Sequence, residues 1–203
     1  MNPIFKVNNR FLSPIYMSNS EMNSQALFTV KSDNSGRKVC ASQALPAGTE
    51  LCQFSGIPIT YGDTLKLGSQ ESFALQTDKD LYLYLDEPYR YFNHSCDPNC
   101  GLSPQQKLIC LRDIDKGEEL RYDYSTTMME RHWTLKCKCN TALCRHTVGD
   151  FDSLPEKTRE FYIRQNIVQA FIVKALYSKI QKSFGRSKPT FTGARPSMRR
   201  SPR

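Results

Sequence analysis

The sequence has no long apolar run and no leader-like segment at its start. A membrane-spanning helix needs about 20 consecutive apolar residues, and no stretch of this chain approaches that length. The first residues, Met1-Asn2-Pro3-Ile4-Phe5-Lys6, lack the charged-then-apolar pattern of a signal peptide. We therefore expect an intracellular, soluble protein without membrane contact, nuclear or cytoplasmic if the source is eukaryotic.

Acidic residues are absent from the C-terminal end. Between residues 179 and 203 there are eight Lys or Arg residues and no Asp or Glu. The whole chain has 28 basic and 20 acidic residues, so this segment carries the entire net charge of +8. Its Ser, Pro, Gly and Arg content cannot bury a core, which predicts a basic disordered tail over 181–203. Such a tail either makes weak nucleic-acid contacts through phosphates or simply aids solubility.

The rest of the chain is typical of one mostly β domain, a β-rich α+β fold, with appendages. A length of 203 residues and 39% apolar content suffice for a core without disulfides. Short strand-like segments alternate with Gly, Pro and Asp, which predicts several small sheets. The predicted strands cover residues 27–31, 38–41, 50–54, 57–60, 72–77, 81–85, 107–111 and 119–122.

Two flanking regions differ from this β pattern. Residues 1–25 have little periodicity and are interpreted as an N-terminal arm. Residues 150–180 have helical spacing, with Phe161, Val168 and Ile172 on one face and a start near Asp152-Ser153. We predict a single C-terminal helix that packs on the domain or on a partner. A role at a membrane surface is the less favoured alternative.

A compact cysteine cluster, Cys137-x-Cys139-x4-Cys144, favours a metal over disulfides in an intracellular chain. Tetrahedral Zn²⁺ needs four ligands, so the cluster is one ligand short. Cys96, Cys100, His94 and His146 are the candidates for the fourth position. A zinc closed by four protein ligands would be structural. The alternative is a group of thiols without a metal.

A polar segment provides a second candidate site. It reads Arg90-Tyr91-Phe92-Asn93-His94-Ser95-Cys96-Asp97-Pro98-Asn99-Cys100, a poor strand and a poor helix. Such a composition is typical of an ordered functional loop.

Three motifs occur in order along the chain. They are Asn93-His94-Ser95-Cys96-Asp97-Pro98-Asn99, Gly117-Glu118-Glu119-Leu120 leading to Asp123-Tyr124, and Cys137-x-Cys139-x4-Cys144. Together they resemble a SET-domain protein-lysine methyltransferase, with the SET domain over 26–126 and a post-SET zinc segment over 127–149. The resemblance implies small, mostly antiparallel sheets and a pseudoknot, in which the end of the domain passes through an earlier loop.

The resemblance also implies two bound groups, S-adenosylmethionine and a structural zinc. Cys96 would be the fourth zinc ligand, joining Cys137, Cys139 and Cys144. Tyr124 would be the catalytic tyrosine, at the cofactor. Tyr122 would occupy the Phe/Tyr position that limits product methylation. The other cofactor-binding residues implied are Gly36, Arg37, Lys38, Arg90, Tyr91, Asn93 and His94.

Two positions depart from the family pattern. Lys38 stands where a second glycine is common, and Thr147 stands where an aromatic residue often packs on the adenine. Val148 or Phe151 are the candidates to replace that aromatic residue.

The resulting hypothesis is S-adenosylmethionine-dependent methylation of a lysine in a protein substrate, such as a histone. A hydroxyl at Tyr122 favours mono- or dimethylation, and we expect a monomer. The alternative is a non-catalytic module that binds a lysine-bearing peptide or nucleic acid.

Overall fold

The computed structural model describes residues 27–34 and 36–184, whose strands form five small sheets. The predicted N-terminal arm and residues 185–203 of the predicted tail lie outside these ranges. The strands are β1 Phe28–Asp33, β2 Gly36–Ala41, β3 Glu50–Gln53, β4 Gly56–Thr60, β5 Ala74–Asp78, β6 Leu81–Leu85, β7 Asn93–His94, β8 Cys100–Leu102, β9 Lys107–Cys110, β10 Arg121–Tyr122, β11 Leu135–Lys136 and β12 Thr147–Val148.

All eight predicted strands correspond to strands of the structure. The β5 strand begins later than predicted, because Ser72 and Phe73 belong to the 3-10 helix Gly68–Phe73. The unpredicted strands, β7, β8, β11 and β12, have two or three residues each, too few to produce a periodic signal. The mostly β fold with small antiparallel sheets is confirmed.

Antiparallel pairing dominates the sheets. The β1–β2 hairpin stands alone, β9 lies between β3 and β8, and β6 lies between β4 and β5. The exception is β7, which pairs in parallel with β10, so that Asn93 lies opposite Arg121 and His94 opposite Tyr122. This contact is non-local and joins the polar segment to the tyrosine motif. The pseudoknot itself stays a prediction.

The main core anchors the segment that contains the candidate site. Phe92 is 1% exposed and directly precedes Asn93. Its ring centroid lies 5.3 Å from those of both Phe28, in β1, and Phe54, which directly follows β3. Buried aromatic residues of this size contribute several kcal/mol, about 3–5 on truncation to Ala. Asn93 and His94 therefore start from a fixed backbone.

The predicted single helix over 150–180 is wrong. Besides the short α1 (Tyr61–Thr64), the structure contains α2 (Glu156–Arg164) and α3 (Ala170–Phe184). Asn166 has φ +55° and ends α2, because this left-handed conformation cannot continue a helix. Phe161 is 43% exposed, so its predicted place on the buried face is also wrong.

The break between α2 and α3 has a packing reason. Ile167 and Val168, which lie in the break, are buried in a second core with Tyr162 and Ile172. The Gln169 amide donates to the carbonyl of Ser103 (3.1 Å), and the Gln169 N–H donates to the carbonyl of Thr126 (3.1 Å). The break therefore docks the helices onto the β domain. The α3 helix also extends into the first residues predicted as tail.

Replacing Gly101 by Ala tests this docking. A Cβ at Gly101 would lie 2.5 Å from Ile167 Cγ2, so the helices must shift or strain must be absorbed. We expect a loss of about 1–3 kcal/mol in the free energy of unfolding, typical of overpacking. The measurement is chemical denaturation. Adding Ile167→Ala should make the further effect of Gly101→Ala much smaller, and equal effects in both backgrounds would contradict the docking.

Across the two described ranges, no helix combines the length and the apolar character needed to cross a membrane.

Candidate active site and metal centre

Four cysteines come together as one cluster. The Sγ atoms of Cys96, Cys137, Cys139 and Cys144 all lie within 4.8 Å of one another. The Cys96 and Cys137 sulfurs are 3.7 Å apart, close to the roughly 3.8 Å edge of a tetrahedron with Zn–S bonds of about 2.3 Å. Among the candidates for a fourth ligand, Cys96 is the one that lies in this cluster. This donor set fits a closed, four-thiolate zinc site.

Two other candidates for the fourth ligand, Cys100 and His146, have different surroundings. Cys100 lies opposite Cys110 in the β8–β9 pair and is fully buried. His146 is exposed, and its backbone carbonyl accepts the N–H of Cys137 (2.8 Å). That bond and the short β11–β12 pair, with Val148 buried against Cys96 and Cys137, fold the cysteine segment.

His94 lies between the cysteine cluster and the tyrosine motif. Its Nδ1 accepts the N–H of Tyr124 (3.2 Å), so the neutral ring carries its proton on Nε2 and donates to Cys96 Sγ (3.3 Å). Burial lowers the pKa of His94 to about 4, which keeps the ring neutral at neutral pH. Both ring nitrogens are thus used within the protein. Contacts from His94 to a nucleoside must come from its backbone.

Asp123 connects three parts of the chain. Its buried carboxylate accepts the N–H of Ser125 (3.1 Å), the guanidinium of Arg145 (2.8 Å) and the hydroxyl of Tyr162 (3.0 Å). Arg145 comes from the cysteine segment, and its own N–H donates to Cys96 Sγ (3.3 Å). Tyr162 comes from α2. The tyrosine motif, the metal centre and the C-terminal helices therefore share one buried charge.

The sequence analysis did not identify this group of contacts around Asp123. Asp123 appeared in a motif without a role, and neither Arg145 nor Tyr162 has a local pattern that marks it. Their partners are distant in sequence, so only the fold reveals them.

Tyr122 and Tyr124 line one narrow cavity, with ring centroids 4.9 Å apart. The Tyr124 hydroxyl donates to the backbone carbonyl of Phe92 (2.9 Å). Burial raises the pKa of both tyrosines well above the usual value, so both hydroxyls stay protonated. The cavity is small, about 30 Å³, enough for one or two water molecules.

The other walls of the cavity come from β5, β6 and the segment before β11. They include Leu75, Tyr82, Met128, Glu130 and Trp133. Trp133 is the only tryptophan of the chain, and its ring centroid lies 6.4 Å from that of Tyr124. Sequence reasoning missed it, although a lone tryptophan between two motifs was a usable signal.

Several predicted cofactor-binding residues converge beside the tyrosines. The Asn93 amide donates to the backbone carbonyl of Arg37 (3.2 Å) and to the Glu119 carboxylate (2.9 Å). Gly36 has φ +119°, and nothing lies within 4 Å of the position its Cβ would take, so its backbone is accessible. The Tyr91 hydroxyl contacts Arg37. An open glycine turn next to polar backbone and aromatic rings fits a nucleoside that carries a cation.

Other predicted cofactor-binding residues have partners within the protein. The Lys38 ammonium forms an ion pair with Asp33, in the β1–β2 hairpin. Arg90 Nε donates to the carbonyl of Leu85 (2.9 Å), and its guanidinium lies over the rings of Phe73 and Tyr84. The structure therefore does not bring these side chains to the Asn93 group.

The structure shows the surroundings of Thr147, which stands where the family often has an aromatic residue, and of its two suggested substitutes. Thr147 is exposed, whereas the suggested substitutes Val148 and Phe151 are both 0% exposed and packed into the protein. Neither ring nor branched side chain is free to stack on a base. Trp133 is the half-buried aromatic residue next to the site.

Comparison with known proteins identifies the central part of the chain. Residues 36–125 match the SET domain family. The chain is 38% identical over 135 residues to "Probable histone-lysine N-methyltransferase set-23" of Caenorhabditis elegans, covering 54% of each protein. It is 30% identical over 119 residues to "Histone-lysine N-methyltransferase ash1" of Drosophila melanogaster, covering 50% of this chain and 5% of that protein. Human "Histone-lysine N-methyltransferase 2B" is 26% identical over 140 residues, 60% of this chain and 5% of that protein.

The chain thus spans about half of the worm relative and about a twentieth of the fly and human relatives. The matched residues contain Gly36, Asn93, Tyr122 and Tyr124. Three of the four clustered cysteines lie after the matched residues, so the inference of a metal site is supported by the geometry of the cluster and not by the family match.

Proposed function

Because residues 36–125 match the SET domain family, we propose that the protein is an S-adenosylmethionine-dependent protein-lysine N-methyltransferase. The observation that carries the proposal is the narrow cavity that Tyr122 and Tyr124 line beside the Asn93–Arg37 contact. In this proposal the cofactor binds on one side of Tyr122 and Tyr124, and the thin, cationic side chain of the substrate lysine enters through the cavity on the other side.

S-adenosylmethionine, when bound, supplies an electrophilic methyl group on a sulfonium. The backbone of Gly36, Arg37 and His94 and the amide of Asn93 are the groups that would hold it. The accepting lysine must be neutral to react, although its free pKa is about 10.4. Removal of the amine from water next to Tyr122 and Tyr124 lowers that pKa by disfavouring the charged form.

The tyrosines contribute positioning. Tyr124 is held by its bond to the Phe92 carbonyl, and its hydroxyl oxygen keeps lone pairs that can contact polarised C–H groups. Aromatic walls attract cationic groups at close range. Alignment of the amine with the methyl group is the main catalytic effect that such a site provides.

Zinc is proposed as a structural ion held by Cys96, Cys137, Cys139 and Cys144. Four thiolates leave no coordination position for a substrate. The ion would join the β7 region to the cysteine segment.

Histones are the proposed substrates, because the relatives are named histone-lysine N-methyltransferases. The alternative, a non-catalytic module, has no specific observation in its favour. Nucleic-acid contact by the basic tail and a monomeric state stay predictions.

Incubation of the full chain with labelled S-adenosylmethionine and core histones tests the activity. We expect label on histone, and mass spectrometry should place the added methyl groups on lysine. A purified, folded chain that binds S-adenosylmethionine but labels neither histones nor a protein extract would contradict the proposal.

Tyr122 is proposed to limit the product to mono- or dimethyl-lysine, because its hydroxyl occupies space next to the amine. We expect Tyr122→Phe to shift the product toward trimethyl-lysine, measured by intact mass on a peptide substrate. Tyr84→Phe is the matched control, since the Tyr84 hydroxyl bonds to Gln70 outside the cavity. Abundant trimethyl product from the wild type would contradict this role.

A further inference from the structure

The tyrosine-lined cavity is negatively charged in a protein of net charge +8. Its lining contains two carboxylates, Glu71 and Glu130, and no Lys or Arg. The two carboxylates differ in their surroundings. Glu71 lies 3.6 Å from the ring nitrogen of His132, whereas no Lys, Arg or His in the described ranges forms an ion pair with Glu130.

Glu130 is held in place by two donors. The buried hydroxyl of Tyr82 donates to Oε2, and the backbone N–H of Trp133 donates to Oε1 (3.3 Å). Burial and the neighbouring carboxylate raise the pKa of Tyr82, so it stays a donor. A carboxylate has about four lone-pair positions, so two of them remain for another donor. A fixed carboxylate without a cation thus stands in an aromatic-walled cavity.

We propose that Glu130 receives the ammonium group of the substrate lysine as it enters the cavity. The inference rests on the proposed methyltransferase function and assigns it a specificity residue. A charge-assisted hydrogen bond to the carboxylate would select a cationic side chain. Tyr82 and Trp133 also line the cavity, and their aromatic rings favour the same charge.

The physics also limits what Glu130 can do. A carboxylate stabilises the charged amine, and the charged amine is not the nucleophile. Glu130 therefore contributes to capture of the lysine and not to the methyl-transfer step. Its removal should change KM and leave kcat nearly unaltered.

Glu130→Gln is the test variant, because it removes the charge and keeps an acceptor for Tyr82 or Trp133. We expect KM for a histone peptide to rise roughly ten-fold, as when one partner of a partly buried charge pair is lost. The increase should shrink as the pH approaches about 10, where the lysine itself loses its charge. Affinity for S-adenosylmethionine and the melting temperature should match the wild type.

Two further variants separate the effect of the Glu130 charge on KM from an effect on the structure. Tyr82→Phe keeps the carboxylate and removes one of its donors, so we expect a smaller rise in KM. Glu156→Gln removes an exposed carboxylate from the first turn of α2 and should change nothing. An unchanged KM in Glu130→Gln, or a fall in kcat at constant KM, overturns the assignment.

A binding measurement keeps this test independent of turnover. A fluorescent histone H3 tail peptide is compared with its counterpart that has norleucine, a neutral isostere, at every lysine. Wild type should bind the lysine peptide more tightly, and Glu130→Gln should reduce the difference. Equal wild-type affinities overturn the role of Glu130, whereas absence of methyl transfer with a preserved difference overturns only the proposed function.

Discussion

Tyr124→Phe is expected to lower the rate of methyl transfer by about 100-fold or more, the usual cost of removing one preorganised polar group at a reacting centre. The hydroxyl is the only part removed. The ring keeps its contacts with Tyr122 and His94, whose centroids lie 4.9 Å and 5.4 Å away. The lost hydrogen bond to Phe92 costs only about 1 kcal/mol of stability. The defect should therefore appear in kcat and not in folding.

Single-turnover rates on a peptide substrate measure this effect directly. Tyr177→Phe is the control, because Tyr177 is 58% exposed on α3. Affinity for S-adenosylmethionine should change little in the Tyr124 variant. A Tyr124→Phe enzyme with a wild-type kcat would remove Tyr124 from the mechanism.

The pH dependence of the methyl-transfer rate provides a second test of the role of Tyr124. Burial raises the pKa of Tyr124, so its hydroxyl remains protonated through neutral and mildly alkaline pH. We therefore attribute a rise of the rate with pH to deprotonation of the substrate lysine, whose free pKa is about 10.4. Tyr124→Phe should keep the shape of that profile at a lower rate.

Local patterns in the sequence account for the parts of the fold that depend on neighbouring residues. Alternation and turn residues located all eight predicted strands, and seven of these carry their own signal over four or more residues, whereas β10 has two. Tyr122 and Tyr124, which the family resemblance placed at the site, both line the same cavity. Compact spacing identified three of the four clustered cysteines.

Features that depend on distant partners were not predictable in this way. The C-terminal helix is broken at Asn166 because Ile167 packs over Gly101, a contact that helical periodicity does not contain. The buried Asp123 has partners from two later segments. Glu130 and Trp133 are single residues outside any motif. In each case the cause is tertiary packing.

His94 shows how a residue can be located without its contacts being known. The sequence placed it at the site through family resemblance. In the structure its ring bonds to the Tyr124 N–H and to Cys96, between the tyrosine motif and the cysteine cluster. It is therefore a candidate for transmitting the state of the metal centre to the cofactor site.

Cys139→Ser and Cys96→Ser are each expected to remove the zinc and to weaken S-adenosylmethionine binding by at least roughly ten-fold, although neither side chain is a proposed cofactor contact. Mutation of residues that contact metal ligands typically lowers metal affinity or activity by about 10–100-fold. Here the path runs from Cys96 to His94, and from Arg145 to Asp123. Without the ion, the cysteine segment keeps the two-residue β11–β12 pairing and the Arg145–Asp123 ion pair, and we expect these contacts to be too few to fix its place.

Zinc content by elemental mass spectrometry and S-adenosylmethionine affinity by calorimetry should be measured on the same samples. Cys52→Ala is the matched control, because Cys52 is buried in β3 and lies outside the cluster. It should keep one zinc per chain and wild-type affinity. Cys96 contacts His94 and Cys139 does not. Comparison of the two variants therefore shows whether His94 transmits the loss of zinc to the cofactor site. Equal losses would mean that the ion acts by ordering the whole segment, and a larger loss in Cys96→Ser would assign the difference to His94. Wild-type affinity after complete zinc removal would show that the two sites are independent.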